Sequence, residues 1–402
     1  MNRSVRSDGR KSGAGQAGSG KATVRAAHAA TRAAADVLAR RIYENPELSD
    51  QEYRAAGWCR ETLDKAGFVL KEVEDLPTAF VAEFTGDAEG PTIGLFAEYD
   101  ALPGIGHGCG HHLIAGSAVG AGLALAQLRG AFPGRVKVFG CPAEEALTGK
   151  PRMIDTGAFD GVDAALTFHA YHSTSVMTSC MGLRTLELAF RGSRATTADP
   201  WAGSNSLDGA AMTYQRINSL PASIRAGIRV HRLDTQGGDA FGAVPERSTC
   251  HVAVRANTMA DLESLSATVM DCAQRAAESS GTTLEVVAGI GSEPIRYDRS
   301  LGDVVQASLR ELGEVVVDWP ALAFTDFGNV SGLIPGVLFS VATWPSDVPF
   351  HTRTAQEHSG RPRAFEAMHT GALAMALTAV DLAATGDLGG PAGAAGAAGA
   401  AE

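Results

Sequence analysis

Short apolar runs of strand length alternate along this chain with longer stretches of small and charged residues, a pattern that predicts an α/β protein. Residues 22–43 are rich in Ala and Arg and predict a helix that stops at Asn45-Pro46, where the proline ring cannot continue it. Ser49-Asp50-Gln51-Glu52 has the spacing of a capping box and predicts the start of a second helix, with Gly67 as its C-cap. Apolar runs at 68–73, 79–84 and 92–96 read as strands, and the small-residue stretch 114–128 as a helix. Further strands are expected at 135–139 and 164–168.

From about Gly182 the order changes. Residues 183–190, 228–233, 249–257 and 283–287 read as strands, with helices over 206–220 and 261–279 between them. This βαββαβ order is that of a ferredoxin-like split unit. The first pattern then resumes with a helix at 301–312, a strand at 337–342 and a closing helix at 363–383. The expected architecture is an α/β domain (22–181 and 293–386) interrupted by an inserted ferredoxin-like domain (182–292), with disordered tails at 1–21 and 387–402. No internal repeat is visible.

A chain of 402 residues suits two domains, and 45% hydrophobic with 20% charged residues is the composition of a globular protein. The net charge of −11 argues against nucleic acid or an anionic membrane as partner. No apolar run reads as long enough to span a bilayer, and the first 21 residues lack the apolar segment of a secretory signal. Six unpatterned cysteines fit a reduced, cytoplasmic protein without a disulfide framework.

The candidate chemistry is concentrated in the loop after the strand at 92–96. It reads Glu98-Tyr99-Asp100-Ala101-Leu102-Pro103-Gly104-Ile105-Gly106-His107-Gly108-Cys109-Gly110-His111-His112. Thiol, imidazole and carboxylate together are what Zn²⁺ or a related transition metal accepts. A lone Cys or His of this kind is usually a packed or hydrogen-bonded core residue, so the cluster needs matching groups elsewhere. They are present: the strand at 135–139 leads to Glu144-Glu145, the strand at 164–168 ends in His169, and Phe350-His351-Thr352 follows the strand at 337–342. On spacing alone Asp100 serves equally well to orient a ligand or to cap the loop. His107 and His112 read as loop residues, or as supports for ligands, rather than as ligands themselves.

These residues carry a likeness. Asn45-Pro46-Glu47-Leu48-Ser49, the Cys109-Gly110-His111 core, Pro142-Ala143-Glu144-Glu145, Gly149-Lys150, His169, the stretch 325–331 and His351-Thr352 together resemble the zinc amidohydrolases. That family includes aminoacylases, carboxypeptidase G, indole-acetyl-amino-acid hydrolases and p-aminobenzoyl-glutamate hydrolase, and the resemblance is strongest to the branch of the last with the β-alanyl-dipeptide hydrolases. It extends over about 35–385. It implies a zinc-peptidase-like catalytic domain with a mixed sheet and an inserted lid and dimerisation domain. It implies a dinuclear site with Cys109, His111, Glu145, His169 and His351 as ligands and Glu144 as general base. Which glutamate has which role rests on the resemblance alone. Asp100 and His112 are expected to support the ligands. The ions would be Zn²⁺ or Mn²⁺, with Co²⁺ or Ni²⁺ able to substitute. The partners implied are a small amide substrate and a second copy of the chain.

Two positions depart from the family pattern. Where the inserted domain ordinarily offers a His to the reacting carbonyl, this chain has Thr196, and where an Asn precedes a Pro by three residues it has Gly242. Losing an oxyanion donor costs about 10²–10³ in rate. The expected substrate is therefore held differently from an ordinary N-acyl amino acid, or lacks the usual α-carboxylate. Two other readings stay open at this stage: a metal-binding relative without hydrolytic activity, and a thiol enzyme with Cys109 as nucleophile beside His111.

Overall fold

The computed structural model describes residues 10–236, 242–318 and 324–386. Two compact units divide the described residues; one comprises 10–179, 296–318 and 329–386, and the other 180–236, 242–295 and 324–328.

The first unit opens with α1 (Arg10–Glu44), α2 (Tyr53–Lys65), β1 (Val69–Glu72), β2 (Phe80–Thr85) and β3 (Ala88–Glu98). It continues through α3 (His111–Ala126), β4 (Pro133–Cys141), α4 (Gly149–Asp155), β5 (Ala164–Tyr171) and β6 (Ser175–Val176). The second unit contributes β7 (Gly182–Arg191), α5 (Ser206–Asn218), α6 (Ala222–Arg225), β8 (Ile228–Gln236), β9 (Arg247–Ala256), α7 (Met259–Ser280) and β10 (Thr283–Ser292). The chain then forms α8 (Arg299–Glu311), the short α9 (Phe327–Ser331), β11 (Gly336–Ala342), α10 (Arg353–Ser359) and α11 (Pro362–Thr385).

Seven strands of the first unit make a mixed sheet in the order β1-β2-β4-β3-β5-β11-β6. β4, β3, β5 and β11 are mutually parallel neighbours, so their C-terminal ends share one edge. β2 and β6 pair antiparallel at either side of this block. In open sheets of this kind the carboxyl edge is where side chains from successive loops converge. The second unit is an antiparallel sheet in the order β10-β7-β9-β8, packed on α5 and α7. Leu188, Phe190, Val252, Val254, Val269 and Ala273 form its core. This is the βαββαβ unit expected from sequence.

α3 is apolar on every face because it is covered on every face. Gly116 and Gly120 let α1 and α11 approach: a Cβ on Gly120 would stand 3.3 Å from the Cβ of Ala35 and 3.5 Å from that of Ala372. α11 passes the length and composition test for a membrane span, where sequence reading expects no such run, yet 72% of its apolar window is buried. It packs on α1, α3 and the sheet.

Three local expectations are corrected. The tail assigned to residues 1–21 is helical from Arg10, although Gly13, Gly15, Gly18 and Gly20 each disfavour a helix by about 1 kcal/mol. Lys21 and Arg25 tie this end to Glu311 at 3.0 and 2.6 Å. Residues 1–9 and 387–402 lie outside the described residues. Ser49 and Glu52 do not form a capping box. The N–H groups of Arg54 and Ala55 go instead to Glu47 Oε2, at 3.0 and 2.9 Å. α3 starts three residues earlier than expected because Gly110, at φ 86°, provides a left-handed N-cap that brings His111 and His112 onto the helix.

Replacing Gly120 with Leu is expected to destabilise the protein by about 1–3 kcal/mol through overpacking, read by denaturant unfolding. Between α1 and α11, His28 packs edge-on to His369, with ring centroids 5.3 Å apart. Burial first, then the charges of His369 and Arg32, push His28 down to about 4 from 6.5, against the opposing pull of Asp36. The folded state therefore binds fewer protons here than the unfolded one. Stability from this group is full above pH 6.5 and is lost as pH falls toward 4. Thermal melts of His28→Leu are expected to show a shallower loss over that range than the parent.

Candidate metal centre

The C-terminal ends of β3 and β5 and the segments that follow β3, β4 and β11 carry the candidate side chains, all within the first unit. Cys109, His111 and His169 place one ligand atom each within 4.8 Å of one another. Cys109, Glu145 and His351 do the same, so the one sulfur belongs to both groups. A third group joins Glu98, His111 and Glu144. Cys109 Sγ lies 3.7 Å from His169 Nε2. His111 Nε2 stands 3.6 Å from Glu144 Oε2 and 3.7 Å from Glu145 Oε1, while His351 Nε2 is 3.6 Å from Glu145 Oε2.

Backbone conformation aims these groups. Gly110 at φ 86° turns the chain from Cys109 into α3, and a Cβ there would meet that of Ala170 at 2.8 Å. Ala143, Leu147 and His351 are L residues held at φ 53°, 55° and 59°. Each such residue costs about 1–2 kcal/mol relative to an ordinary backbone. Strain of this kind persists where surrounding contacts over-determine it, and functional sites are where it collects.

Asp100 organises the support. Its Oδ1 takes the Nδ1–H of His111 at 2.8 Å, and its Oδ2 takes the Ser49 hydroxyl at 2.9 Å and the Glu145 N–H at 3.0 Å. Burial works against its charge, but His111 and these hydrogen bonds hold its carboxyl down at about 2. The first contact fixes Nδ1 as the nitrogen that keeps its proton, so Nε2 is the atom His111 can offer to a cation. His112 faces elsewhere: its Nε2 lies 3.1 Å from the carbonyl of Ser359, and its ring packs on Tyr43, His107 and Phe365. Its expected contact with the ligands is replaced by a packing role at the start of α3. His107 likewise bonds the Ile42 carbonyl, at 3.1 Å.

Glu98 and Lys150 form a pair that sequence reading does not assign. Both are buried, with Lys150 Nζ 2.7 Å from Glu98 Oε1. Burial opposes the ionised carboxylate, and Lys150, then His111 and His169, bring it below its ordinary range. The signal is present in part, since Glu98 shares a face of the β3 extension with Asp100, and Gly149-Lys150 is among the stretches that carry the likeness. What sequence lacks is the fold of α4 back to the strand edge. A Cβ on Gly149 would sit 1.6 Å from the Pro142 carbonyl oxygen, so only glycine lets α4 start beside the Glu144 turn.

The arrangement fits divalent cations. The buried His111 Nε2 and Glu145 Oε1 have no hydrogen-bond partner among the described residues. Buried polar atoms are otherwise nearly always paired. Burial, with Glu145 and Glu144 adding to it, pushes the Cys109 thiol up in the absence of a cation. That is the opposite of an activated nucleophilic cysteine and leaves the thiol-enzyme reading without support. A thiolate and several carboxylates around facing imidazoles are the donor set of a transition-metal site.

The profile of peptidase family M20/M25/M40 matches residues 94–379. This chain belongs to that family. It is 32% identical to human Xaa-Arg dipeptidase over 376 residues, covering 86% of this chain and 84% of the relative. It is 30% identical to one of the polypeptides of p-aminobenzoyl-glutamate hydrolase of Escherichia coli (strain K12) over 311 residues, 71% of this chain and 64% of that one. A dinuclear metal-binding M20 peptidase from Bacillus subtilis shares the fold at TM-score 0.68 and 21% identity, over 89% of this chain and 99% of that one. The protein is thus a metal-dependent hydrolase acting on amide or peptide bonds.

In the second unit Thr196 and Gly242 are neighbours. Thr196 bridges to Ala243, and the Thr197 N–H donates to the Gly242 carbonyl at 3.1 Å. The two positions singled out by the resemblance therefore fall on one exposed corner of that unit.

Lys150→Met would strand the Glu98 charge in the interior and is expected to cost about 3–5 kcal/mol. Denaturant unfolding of the metal-free protein measures it, and a loss below about 1 kcal/mol would count against the pair.

Proposed function

We propose that the chain cleaves the amide of a dipeptide, an N-acyl amino acid or a related specialised metabolite, using two divalent ions held by Cys109, His111, Glu145, His169 and His351. The observation that carries this reading is the sharing of Cys109 between two ligand groups, with the Glu144 carboxylate outside both of them and 3.6 Å from His111. Bound divalent ions lower the pKa of a water toward neutrality and polarise a scissile carbonyl.

The remaining work belongs to the protein. Glu144 takes the proton given up by the attacking water and delivers it to the departing nitrogen, so that the C–N bond breaks into acid and amine. Asp100 keeps His111 in the tautomer that binds a cation through Nε2 and pins the Glu145 backbone. Adjacent glutamates can then divide the tasks, one held as a ligand and the other left for proton transfer. The donor set suits Zn²⁺ or Mn²⁺, and Co²⁺ or Ni²⁺ fit the same groups.

The names of the human and E. coli relatives support the dipeptide and N-acyl amino acid arms respectively. Thr196 and Gly242, adjacent on one corner, support a substrate whose carbonyl and carboxylate are held differently from those of an ordinary N-acyl amino acid. A homodimer belongs to the same proposal on the strength of the resemblance. A cytoplasmic location agrees with six scattered, buried cysteines.

The purified protein is expected to bind two equivalents of metal and to turn over at least one member of a panel of dipeptides and N-acyl amino acids. Glu144→Ala should lower kcat by about 10²–10⁴-fold while retaining both ions. Metal without turnover across the panel would contradict the substrate class, and absence of metal would contradict the site.

A further inference from the structure

We propose that Glu52 is a positioning residue for the Glu144-Glu145 turn, its carboxylate oxygen holding Ala143 in the left-handed conformation from which both glutamates are aimed. This rests on the roles given above to Glu144 and Glu145.

Glu52 is fully buried. Its Oε1 accepts the Ala143 N–H at 2.8 Å and the Asp50 N–H at 3.0 Å. Both of those residues are L amino acids at positive φ, 53° for Ala143 and 64° for Asp50. That conformation crowds a Cβ against the following carbonyl, so an external contact has to maintain it. One oxygen supplies that contact to two segments 93 positions apart, from Asp50 to Ala143.

The contact has no other task to explain it. Glu52 precedes α2, but the free N–H groups of Arg54 and Ala55 are taken by Glu47. The second Glu52 oxygen, Oε2, is buried without a hydrogen-bond partner among the described residues. So the carboxylate neither caps the helix nor sits in an ion-pair network among those residues.

What it does hold is one end of the turn. The N–H of Ala143 is fixed by Glu52 and the N–H of Glu145 by Asp100 at 3.0 Å, with Glu144 between them. Leu147 N–H closes onto the Glu144 carbonyl at 2.8 Å, and Thr148 N–H onto that of Ala143 at 3.2 Å. Releasing the Ala143 end frees its φ to return to negative values, which swings both carboxylates off the site. Asp100 alone fixes only the far end.

The test uses Zn²⁺ titration of the metal-free full chain against a chromophoric chelator, with circular dichroism to confirm folding. Glu52→Ala is expected to weaken Zn²⁺ binding by about 10–100-fold, as loss of a group behind the ligands does. Ala143→Gly added to that variant should restore most of the affinity, because glycine adopts positive φ unaided. Glu52→Gln, which keeps the acceptor oxygen, should bind Zn²⁺ as the parent does. Unchanged affinity in Glu52→Ala would overturn the proposal, and so would a loss that Ala143→Gly does not repair. If Glu52→Ala does not fold, Glu52→Asp withdraws the same oxygen by one methylene and faces the same two outcomes. Metal binding is independent of turnover, so a parent protein that binds zinc but cleaves nothing sinks the substrate reading and leaves this comparison decisive.

Discussion

Packing a thiol, three imidazoles and several carboxylates at one strand edge is the constraint on which the rest of this structure depends. Without cations such a cluster is self-repelling and poorly solvated, and nothing in the apolar core offsets it. The fold meets part of the demand itself, through the buried Lys150 beside Glu98 and the tautomer-fixed His111 beside Asp100. Bound metal ions would meet the remainder. His111 Nε2 and Glu145 Oε1, buried and unpaired among the described residues, are the atoms left to receive them.

The geometry is imposed from outside the cluster. Parallel pairing of β4, β3, β5 and β11 sends four loops to one edge, and the helices α1, α3 and α11 behind them exclude water. The segment 47–52 then ties those loops together from below. Glu47 caps α2, Ser49 holds Asp100 and Glu52 holds Ala143. A stretch that reads as a helix start in sequence is therefore part of the support of the site.

Much of this was legible beforehand. Cys109, His111, Glu144, Glu145, His169 and His351 each follow or end an apolar run, and strand ends on one edge bring such residues together whatever the details of packing. The βαββαβ order defined the second unit in the same way. What could not be read was side-chain direction. His112 adjoins His111 in sequence, but on a helix neighbours diverge by about 100°, so one faces the ligands and the other faces Ser359 and Tyr43. Ser49 and Glu52 have capping-box spacing, yet stronger demands for their oxygens lie far off in sequence, at Asp100 and Ala143. The Glu98–Lys150 pair required knowing that Gly149 lets α4 begin against Pro142.

The central claim is that a single sulfur serves two ion sites. Anomalous diffraction from crystals of the zinc-loaded protein addresses it directly. Two peaks are predicted, one on each side of Cys109 Sγ, the first within bonding distance of His111 and His169 and the second of Glu145 and His351. A single peak, or two peaks neither of which contacts Cys109, would contradict the account.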